Sequence, residues 1–343
     1  MTRFTSGPVR IAYDPIGSGD LTLVVIPGWV SHLEYDWATP EIRSFYDRLA
    51  ASRCVIRYDK RGLGLSDRPT HPETYSLDIQ VSDLAAVLDA AGVGNVALFG
   101  WSTGGPVALA FGAKYPERVS HLVLYGTFAR LIAAPEYPFG PDSSMAQAIL
   151  TIVQAEWGLG SRTLADLFIP EADLDRLAWF TAYQRIATSP QAAADSLAYA
   201  FQLDVRDLLP SVNAHALVLH RREDCLVPFK QGVYLAEHLP QARFQELSGQ
   251  HHTPYFGDSE AVTKATDDFL RAETAEHATV QPLSIRELEV LRLVAEGLQN
   301  RDIALRLTIS SATVSRHLAN IYTKLGVSTR SSAAAYAFRR GLV

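Results

Sequence analysis

The 343-residue chain has little cysteine and no long hydrophobic run. Its two cysteines, Cys54 and Cys225, allow at most one disulfide, and nothing in the sequence indicates an oxidising compartment. No apolar stretch reaches the 18 or so residues that suggest a membrane span, and the first residues, MTRFTSGPVR, lack a hydrophobic signal core. These absences exclude a disulfide-rich secreted domain and a membrane partner, and we expect a soluble, cytoplasmic protein.

Repeats of fixed period and low-complexity segments are also lacking, but the charge is unevenly distributed. Residues 281–343 hold 9 Lys and Arg against 4 Asp and Glu, a net charge of +5, whereas residues 1–280 hold 22 against 33, a net charge of −11. A basic tail on an acidic body indicates that the tail meets a polyanion and that the body does something else. The length favours one large domain and one smaller domain.

The body alternates apolar strand-like runs with helical patterns. Helical spacing is clearest at 39–50 and 77–91, and the predicted strands are 9–13, 21–26, 53–58, 96–99, 121–125, 216–220 and 243–247. Strands that are separated by helices predict a parallel sheet covered on both faces. The pattern from about 130 to 210 changes to helices rich in alanine and aromatic residues, which predicts a helical cap inserted over one edge of that sheet.

The stretch GWSTG at 100–104 lies between a predicted strand and a predicted helix. Glycines two positions before and two after Ser102 permit a very tight turn that exposes its hydroxyl, as in a nucleophile elbow. A serine hydroxyl reacts near neutral pH only with a base that removes its proton and an acid that orients the base. Ser102 is therefore the candidate nucleophile.

The acid and the base are expected after the last two strands of the body. Asp224 follows the first of these strands, with Glu223 as an alternative acid, and the second strand is followed by the loop SGQHHTP. This loop offers His251 and His252, of which only one can face the serine.

Residues 1–272 resemble the α/β-hydrolase fold. The resemblance is carried by PGW at 27–29, YDKRGLGLS at 58–66, the elbow, Asp224 with Val227 and Pro228, and the loop GQHHTP. The family's usual ending, Gly-x-Gly-His before a proline, implies that His252 is the base and places His251 where glycine is usual. The resemblance also implies an oxyanion hole formed by the backbone amides of Trp29 and Thr103, and it implies neither a cofactor nor a metal.

The basic tail has the boundaries of short helices. Ser284 and Glu287 form a predicted capping box, and Gly297 ends the first helix. A second helix begins at about Asn300 and a third at Ser310 or Ser311. The third carries an apolar stripe opposite Thr313, Arg316 and Asn320, and the stripe consists of Val314, Leu318, Ile321 and Leu325.

Two short helices followed by a longer one with an exposed polar face indicate a helix-turn-helix. Residues 283–343 closely resemble the LuxR/FixJ type of DNA-binding domain, with 273–282 as the linker. The resemblance implies double-stranded DNA as a partner and a homodimer formed through the last helix, about 330–340. Ser315 stands where that family often has lysine. The residues assigned to DNA binding are Thr313, Ser315, Arg316, His317, Asn320 and Lys324.

Three functions fit these features. The first is a transcriptional regulator in which the body binds, and can hydrolyse, a small apolar ligand while the tail binds DNA. The second is a serine hydrolase of the esterase type with an accessory DNA-binding tail. The third is a receptor that uses the same pocket without turnover.

Overall fold

The computed structural model describes residues 2–68, 72–278, 283–325, 327 and 329–339, and the chain divides into two compact units, Met1–Asp267 and Asp268–Val343. The strands are β1 (Arg3–Phe4), β2 (Ala12–Gly17), β3 (Thr22–Ile26), β4 (Cys54–Tyr58), β5 (Val96–Trp101), β6 (Val119–Tyr125), β7 (His215–Arg221) and β8 (Ala242–Leu247). The helices of the first unit are α1 (Leu33–Ala38), α2 (Pro40–Leu49), α3 (Leu77–Ala91), α4 (Gly104–Lys114), α5 (Ser143–Ala155), α6 (Trp157–Phe168), α7 (Leu174–Ala187), α8 (Pro190–Gln202) and α9 (Phe229–His238), and α10 (Ser259–Ala278) includes the boundary.

The described strands form one sheet in the order β1-β2-β4-β3-β5-β6-β7-β8. Strands β1 and β2 are antiparallel to their neighbours, and all later pairs are parallel. The chain leaves β3 toward β4 on one side and returns to β5 on the other. Strand order therefore reverses at the carboxyl end of β3, and such a switch point opens a crevice where ligands bind in sheets of this kind.

Both faces of the central strands are covered, which explains why these strands are apolar throughout. On one face, Val24 and Leu98 pack in a common cluster with Leu84 of α3 and Phe111 of α4. On the other face, the ring of Phe99 lies 6.1 Å from that of Phe45 on α2. The prediction of a mostly parallel sheet that is covered by helices on both faces is confirmed.

The helical cap consists of α5 to α8 and lies between β6 and β7 in the chain, as the composition of 130–210 predicts. Hydrogen bonds tie it to the sheet-bearing part of the same unit. The indole nitrogen of Trp29 donates to Ser196 Oγ at 2.9 Å, and the amide of Gly64 donates to the carbonyl of Ala187 at 2.9 Å. These bonds place the cap over the loop that follows β3.

The second unit contains α11 (Ile285–Ala295), α12 (Asn300–Leu307), α13 (Ser311–Leu325) and α14 (Arg330–Arg339). The predicted linker 273–282 is helical up to Ala278, because α10 continues to that residue, and its last four residues lie outside the described part of the chain. Residue 340, which the sequence assigns to the last helix, also lies outside it. Among the described residues, no helix combines the length and the apolar content needed to cross a bilayer.

A buried carboxylate links α1 to the cap. Tyr183 of α7 donates its phenolic proton to Asp36 Oδ1 at 2.7 Å, and Tyr35 stacks on Tyr183 with 5.5 Å between ring centroids. Burial raises the pKa of Asp36 to about 7, although the bond from Tyr183 opposes the rise. Because the pKa in the folded state lies above the unfolded value, the protonated form stabilises the fold at acid pH, and this contribution is lost as the pH rises through about 7.

The change Asp36→Asn keeps an oxygen that accepts from Tyr183 but cannot ionise. We expect its Tm to exceed that of the wild type, and by several degrees more at pH 8 than at pH 5, since roughly 1.4 kcal/mol accompanies each pKa unit. Thermal unfolding at the two pH values measures this difference. Asp47→Asn, at an exposed position of α2, is the matched control and should shift Tm equally at both. A pH-independent gain for Asp36→Asn would contradict the account of Asp36.

Candidate functional site

The predicted elbow forms a sharp turn between β5 and α4. Ser102 has φ of +51°, in the left-handed region that residues with a side chain rarely occupy. Hydrogen bonds hold this conformation: the amide of Ser102 donates to the carbonyl of Tyr125 at 3.1 Å, and the Thr127 hydroxyl donates to the carbonyl of Ser102 at 2.6 Å. The loop after β6 therefore fixes the backbone of the candidate nucleophile.

Glycine is required on the far side of the turn because the backbone of Ile26 and the side chain of Thr127 come very close. A Cβ on Gly104 would lie 2.3 Å from the carbonyl oxygen of Ile26, and one on Gly105 would lie 2.0 Å from Thr127 Oγ1. Both distances are far below van der Waals contact. The glycines thus let the elbow sit directly against the ends of β3 and β6.

Asp224 and His252 form a buried pair at the ends of β7 and β8. His252 Nδ1 lies 2.8 Å from Asp224 Oδ2, and the other carboxylate oxygen accepts from the amides of Leu226 at 2.9 Å and Val227 at 3.0 Å. Burial alone would raise the pKa of Asp224. The facing His252 and these hydrogen bonds outweigh it and hold the pKa below its usual range.

Nδ1 of His252 is engaged by the carboxylate, so Nε2 is the nitrogen available to take up a proton. Nε2 is buried and makes no hydrogen bond to any residue that the structure describes, Ser102 included. The ring contacts Trp101, the residue before Ser102, with 6.1 Å between centroids, and Phe168 of the cap at 5.2 Å. The backbone amide of His252 donates to the Phe168 carbonyl at 2.9 Å, which holds the loop against the cap.

The alternatives that the sequence leaves open are placed elsewhere. The carbonyl of His251 accepts from the Arg221 guanidinium at 2.9 Å, and its ring does not pair with Asp224. Glu223 is exposed and accepts from the amide of Gly249 at 3.0 Å, so it braces the histidine loop. The geometry thus favours Asp224 and His252 as the acid and base.

His220, the penultimate residue of β7, lies beside the acid and was not among the residues predicted from sequence. His220 Nε2 lies 3.7 Å from Asp224 Oδ2 and bonds to the carbonyl of Val227 at 2.8 Å. Burial lowers the pKa of His220 and keeps the ring neutral. Its place four residues before Asp224, at the end of a predicted strand, was the one signal that could have identified it.

Ser102 opens onto a cavity of about 300 Å³ beneath the cap. Trp29 and Thr103 border the same cavity, and in the described structure neither backbone amide donates a hydrogen bond to another residue, so both are available to a ligand. None of the residues that line the cavity is charged. Its apolar wall includes Phe128, Leu131, Met145, Leu164, Leu197 and Phe201.

The second unit presents the predicted helix-turn-helix. Ser284 and Glu287 form the predicted capping box, and Val314, Leu318, Ile321 and Leu325 form the buried face of α13. Arg316 and Asn320 lie on the opposite face, are exposed, and make no hydrogen bond to the described residues. They are the side chains of this helix that are most available to an external partner.

The remaining residues assigned to DNA are engaged within the unit to different degrees. Thr313 Oγ1 bonds to Ser310 Oγ at 2.8 Å, and Ser315 Oγ accepts from Asn300 at 3.2 Å. His317 is half-buried. Lys324 donates to Glu287 Oε2 at 2.7 Å and so braces α13 against α11. Contact between these four residues and DNA stays a prediction.

Comparisons with known proteins agree with this division. The family model of the alpha/beta hydrolase fold matches residues 22–258, and that of the bacterial regulatory proteins of the LuxR family matches residues 281–337. The chain is 28% identical to a pimeloyl-[acyl-carrier protein] methyl ester esterase of Neisseria meningitidis, over 65% of this chain and 85% of the relative. It is 26% identical to a 2-hydroxy-6-oxo-2,4-heptadienoate hydrolase of Pseudomonas putida, over 78% and 95% respectively.

A solved structure of similar fold is an esterase from Exiguobacterium antarcticum, with a TM-score of 0.71 and 23% identity, covering 79% of this chain and 100% of that one. Another is the enol-lactonase from Burkholderia xenovorans, with a TM-score of 0.64 and 24% identity, covering 78% and 100%. At these identities the likeness concerns the fold alone.

The pairing of His252 with Asp224 predicts how each histidine affects the reactivity of Ser102. The change His252→Ala should slow labelling of Ser102 by a fluorophosphonate by about 100-fold or more, because it removes the group that takes up the proton. His251→Ala, the matched control, should stay within about twofold of the wild type, and thermal melts check that both fold. If labelling slowed only in His251→Ala, the base would be His251 and the assignment to His252 would be wrong.

Proposed function

The chain belongs to the alpha/beta hydrolase fold family and carries a LuxR-family domain, and on that premise we propose that it is a transcriptional regulator that binds DNA through α11–α14 and a small apolar ligand beneath the cap. The proposal rests on one combination within the chain. In the first unit, the ring of His252 in the buried Asp224–His252 pair contacts Phe168, which lines the apolar cavity together with Ser102. The second unit exposes Arg316 and Asn320 on a helix-turn-helix.

The ligand that suits the cavity is an uncharged ester or lactone with an apolar acyl group. The wall offers no charged side chain, and its polar groups include the Ser102 hydroxyl and the amides of Trp29 and Thr103. Such a cavity excludes water from most of a ligand's surface, and the few polar groups orient the ligand's carbonyl. The relatives described above carry names of hydrolases, in keeping with this class.

In the proposed reaction, Ser102 Oγ adds to the ligand's carbonyl carbon and its proton passes to His252 Nε2. Asp224 holds the imidazole with Nε2 free and stabilises the imidazolium that forms. The carbonyl oxygen becomes an oxyanion that accepts from the Trp29 and Thr103 amides. The proton then goes to the leaving alcohol, and a water molecule repeats the sequence on the acyl-serine. Ser102 Oγ and His252 Nε2 come into hydrogen-bond contact when ligand fills the cavity.

A serine hydrolase with an accessory DNA-binding tail is the second candidate function. It is favoured by the Asp224–His252 pair, which is fully formed and buried as turnover requires. The regulator is preferred because the basic tail matches a family of bacterial regulatory proteins. A homodimer formed through α14 and a cytoplasmic location belong to the same proposal, since dimers of such domains bind paired half-sites on DNA.

Labelling with a fluorophosphonate probe tests whether Ser102 has the reactivity that this function requires. Wild-type protein should be labelled at one serine, and Ser102→Ala should not be labelled at all. Ser82→Ala, at an exposed position of α3, should be labelled as fast as the wild type. Equal labelling of Ser102→Ala and the wild type would reject Ser102 as the nucleophile. If neither the wild type nor any variant were labelled, the chain would be a receptor that binds its ligand without turnover.

DNA binding should depend on the exposed face of α13. The change Arg316→Ala should weaken binding to DNA selected by the full chain from a random pool by about 1 to 3 kcal/mol, and binding to unselected DNA by less. Fluorescence anisotropy across a salt series measures both affinities. Arg306→Ala on α12, where Arg306 pairs with Glu296 at 3.3 Å, is the matched control and should preserve the preference for selected DNA. An unchanged affinity of Arg316→Ala for both DNAs would show that α13 does not enter the groove.

A further inference from the structure

Lys60 is a buried lysine beside the proposed oxyanion site. Lys60 follows β4 and is 8% exposed, and its Nζ donates to Thr103 Oγ1 at 3.1 Å. No carboxylate among the described residues lies within ion-pair distance of Nζ. Taking an ammonium group out of water without a partner of opposite charge is costly, so its position calls for a functional explanation.

The groups around Lys60 are already engaged with one another. Lys60 lines a small cavity of about 30 Å³ that shares Trp29 and Thr103 with the larger cavity. The neighbouring Arg61 pairs with Asp83 of α3 at 2.5 Å. Tyr75 also lines the small cavity, and burial raises the pKa of its phenol to about 12.

Two further carboxylates, those of Asp59 and Asp195, belong to residues next to Lys60 in the chain or near Tyr75. Asp59, the residue before Lys60, accepts from the amides of Leu33 at 3.1 Å and Leu65 at 2.9 Å. The negative charge of Asp195 on α8 also raises the pKa of the Tyr75 phenol. None of these groups neutralises Lys60, and burial lowers its pKa to about 7.

We propose that Lys60 is a positioning residue for the oxyanion site, which holds Thr103 through its hydroxyl and stabilises the oxyanion with its positive charge. The inference rests on the proposed function. Thr103 supplies an amide to the oxyanion and is the residue from which α4 begins. One hydrogen bond from Nζ holds its side chain beside the proposed oxyanion site.

The charge acts on the step in which Ser102 Oγ bonds to the carbonyl carbon and the electron pair of the C=O π bond moves to the oxygen. The serine proton goes to His252 Nε2, and Lys60 neither gains nor loses a proton. A cation close to this oxygen, in a site that excludes water, lowers the energy of the charged intermediate. A neutral lysine keeps the hydrogen bond to Thr103 but not this effect.

The sign of the pH dependence follows from the lysine's charge. Because the pKa of Lys60 is lowered to about 7, the side chain is charged below that pH and neutral above it. Reactivity at Ser102 that depends on Lys60 is therefore greatest at acid pH and is lost as the pH rises through about 7. Dividing the wild-type rate by that of a lysine variant removes every ionisation that the two proteins share.

The test is the rate constant for fluorophosphonate labelling of Ser102 between pH 5.5 and 9, in which an Oγ–P bond forms and fluoride leaves. For Lys60→Met we expect a ratio of wild-type to variant rates of about tenfold at pH 6, falling above pH 8 to the smaller ratio that loss of the bond to Thr103 leaves. Lys60→Gln, which keeps a donor for Thr103 without the charge, should give a smaller ratio with the same pH dependence. Lys230→Met, at an exposed position of α9, should give a ratio of one throughout.

A second measurement separates the bond to Thr103 from general damage to the fold. Thr103→Val removes the acceptor, and its combination with Lys60→Met should label no more slowly than the slower single variant, because both changes break the same hydrogen bond. Thermal melts identify any variant that fails to fold. If Lys60→Met does not fold, the pH dependence is measured with Lys60→Gln.

A ratio that is independent of pH, or equal to one at every pH, would overturn the role of Lys60 and leave the proposed function intact. Absence of labelling in the wild type would instead overturn the proposed function and this role with it.

Discussion

The buried hydrogen bond between Asp224 and His252 is the interaction on which the candidate active site depends. It forms because β7 and β8 are adjacent and parallel, so the loops at their carboxyl ends meet at one edge of the sheet. Two backbone amides hold the carboxylate, and the cap holds the histidine loop through the carbonyl of Phe168. Moving either loop would leave a buried carboxylate without its partner, a loss of several kcal/mol. The sheet, the cap and the site therefore stabilise one another.

Much of this site could be predicted from sequence because its signals are local. The tight turn at Ser102 requires glycines at fixed positions, and the clashes that a Cβ would cause at Gly104 and Gly105 show why. The helices of the second unit were equally predictable from sequence, since the capping box at Ser284 and the apolar stripe from Val314 to Leu325 each lie within one helix. A side chain's role was predictable wherever its partners lie a few residues away in the chain.

The groups that sequence could not reveal have partners far along the chain. Asp36 meets Tyr183 from the cap, and Lys60 meets Thr103 from the elbow. Neither burial has a local signal, because aspartate and lysine side chains are usually exposed. The same holds for the bond from Lys324 to Glu287, which joins residues 37 positions apart.

The proposed function requires that a ligand beneath the cap changes how the chain binds DNA. The direct measurement is the affinity for DNA selected by the full chain, before and after Ser102 is labelled with a fluorophosphonate whose alkyl group fills the cavity. Ser102→Ala exposed to the same reagent is the control. We expect labelling to change the affinity of the wild type by about fivefold or more and to leave that of Ser102→Ala unchanged. Equal affinity before and after complete labelling would contradict the claim and describe a hydrolase that carries an uncoupled DNA-binding tail.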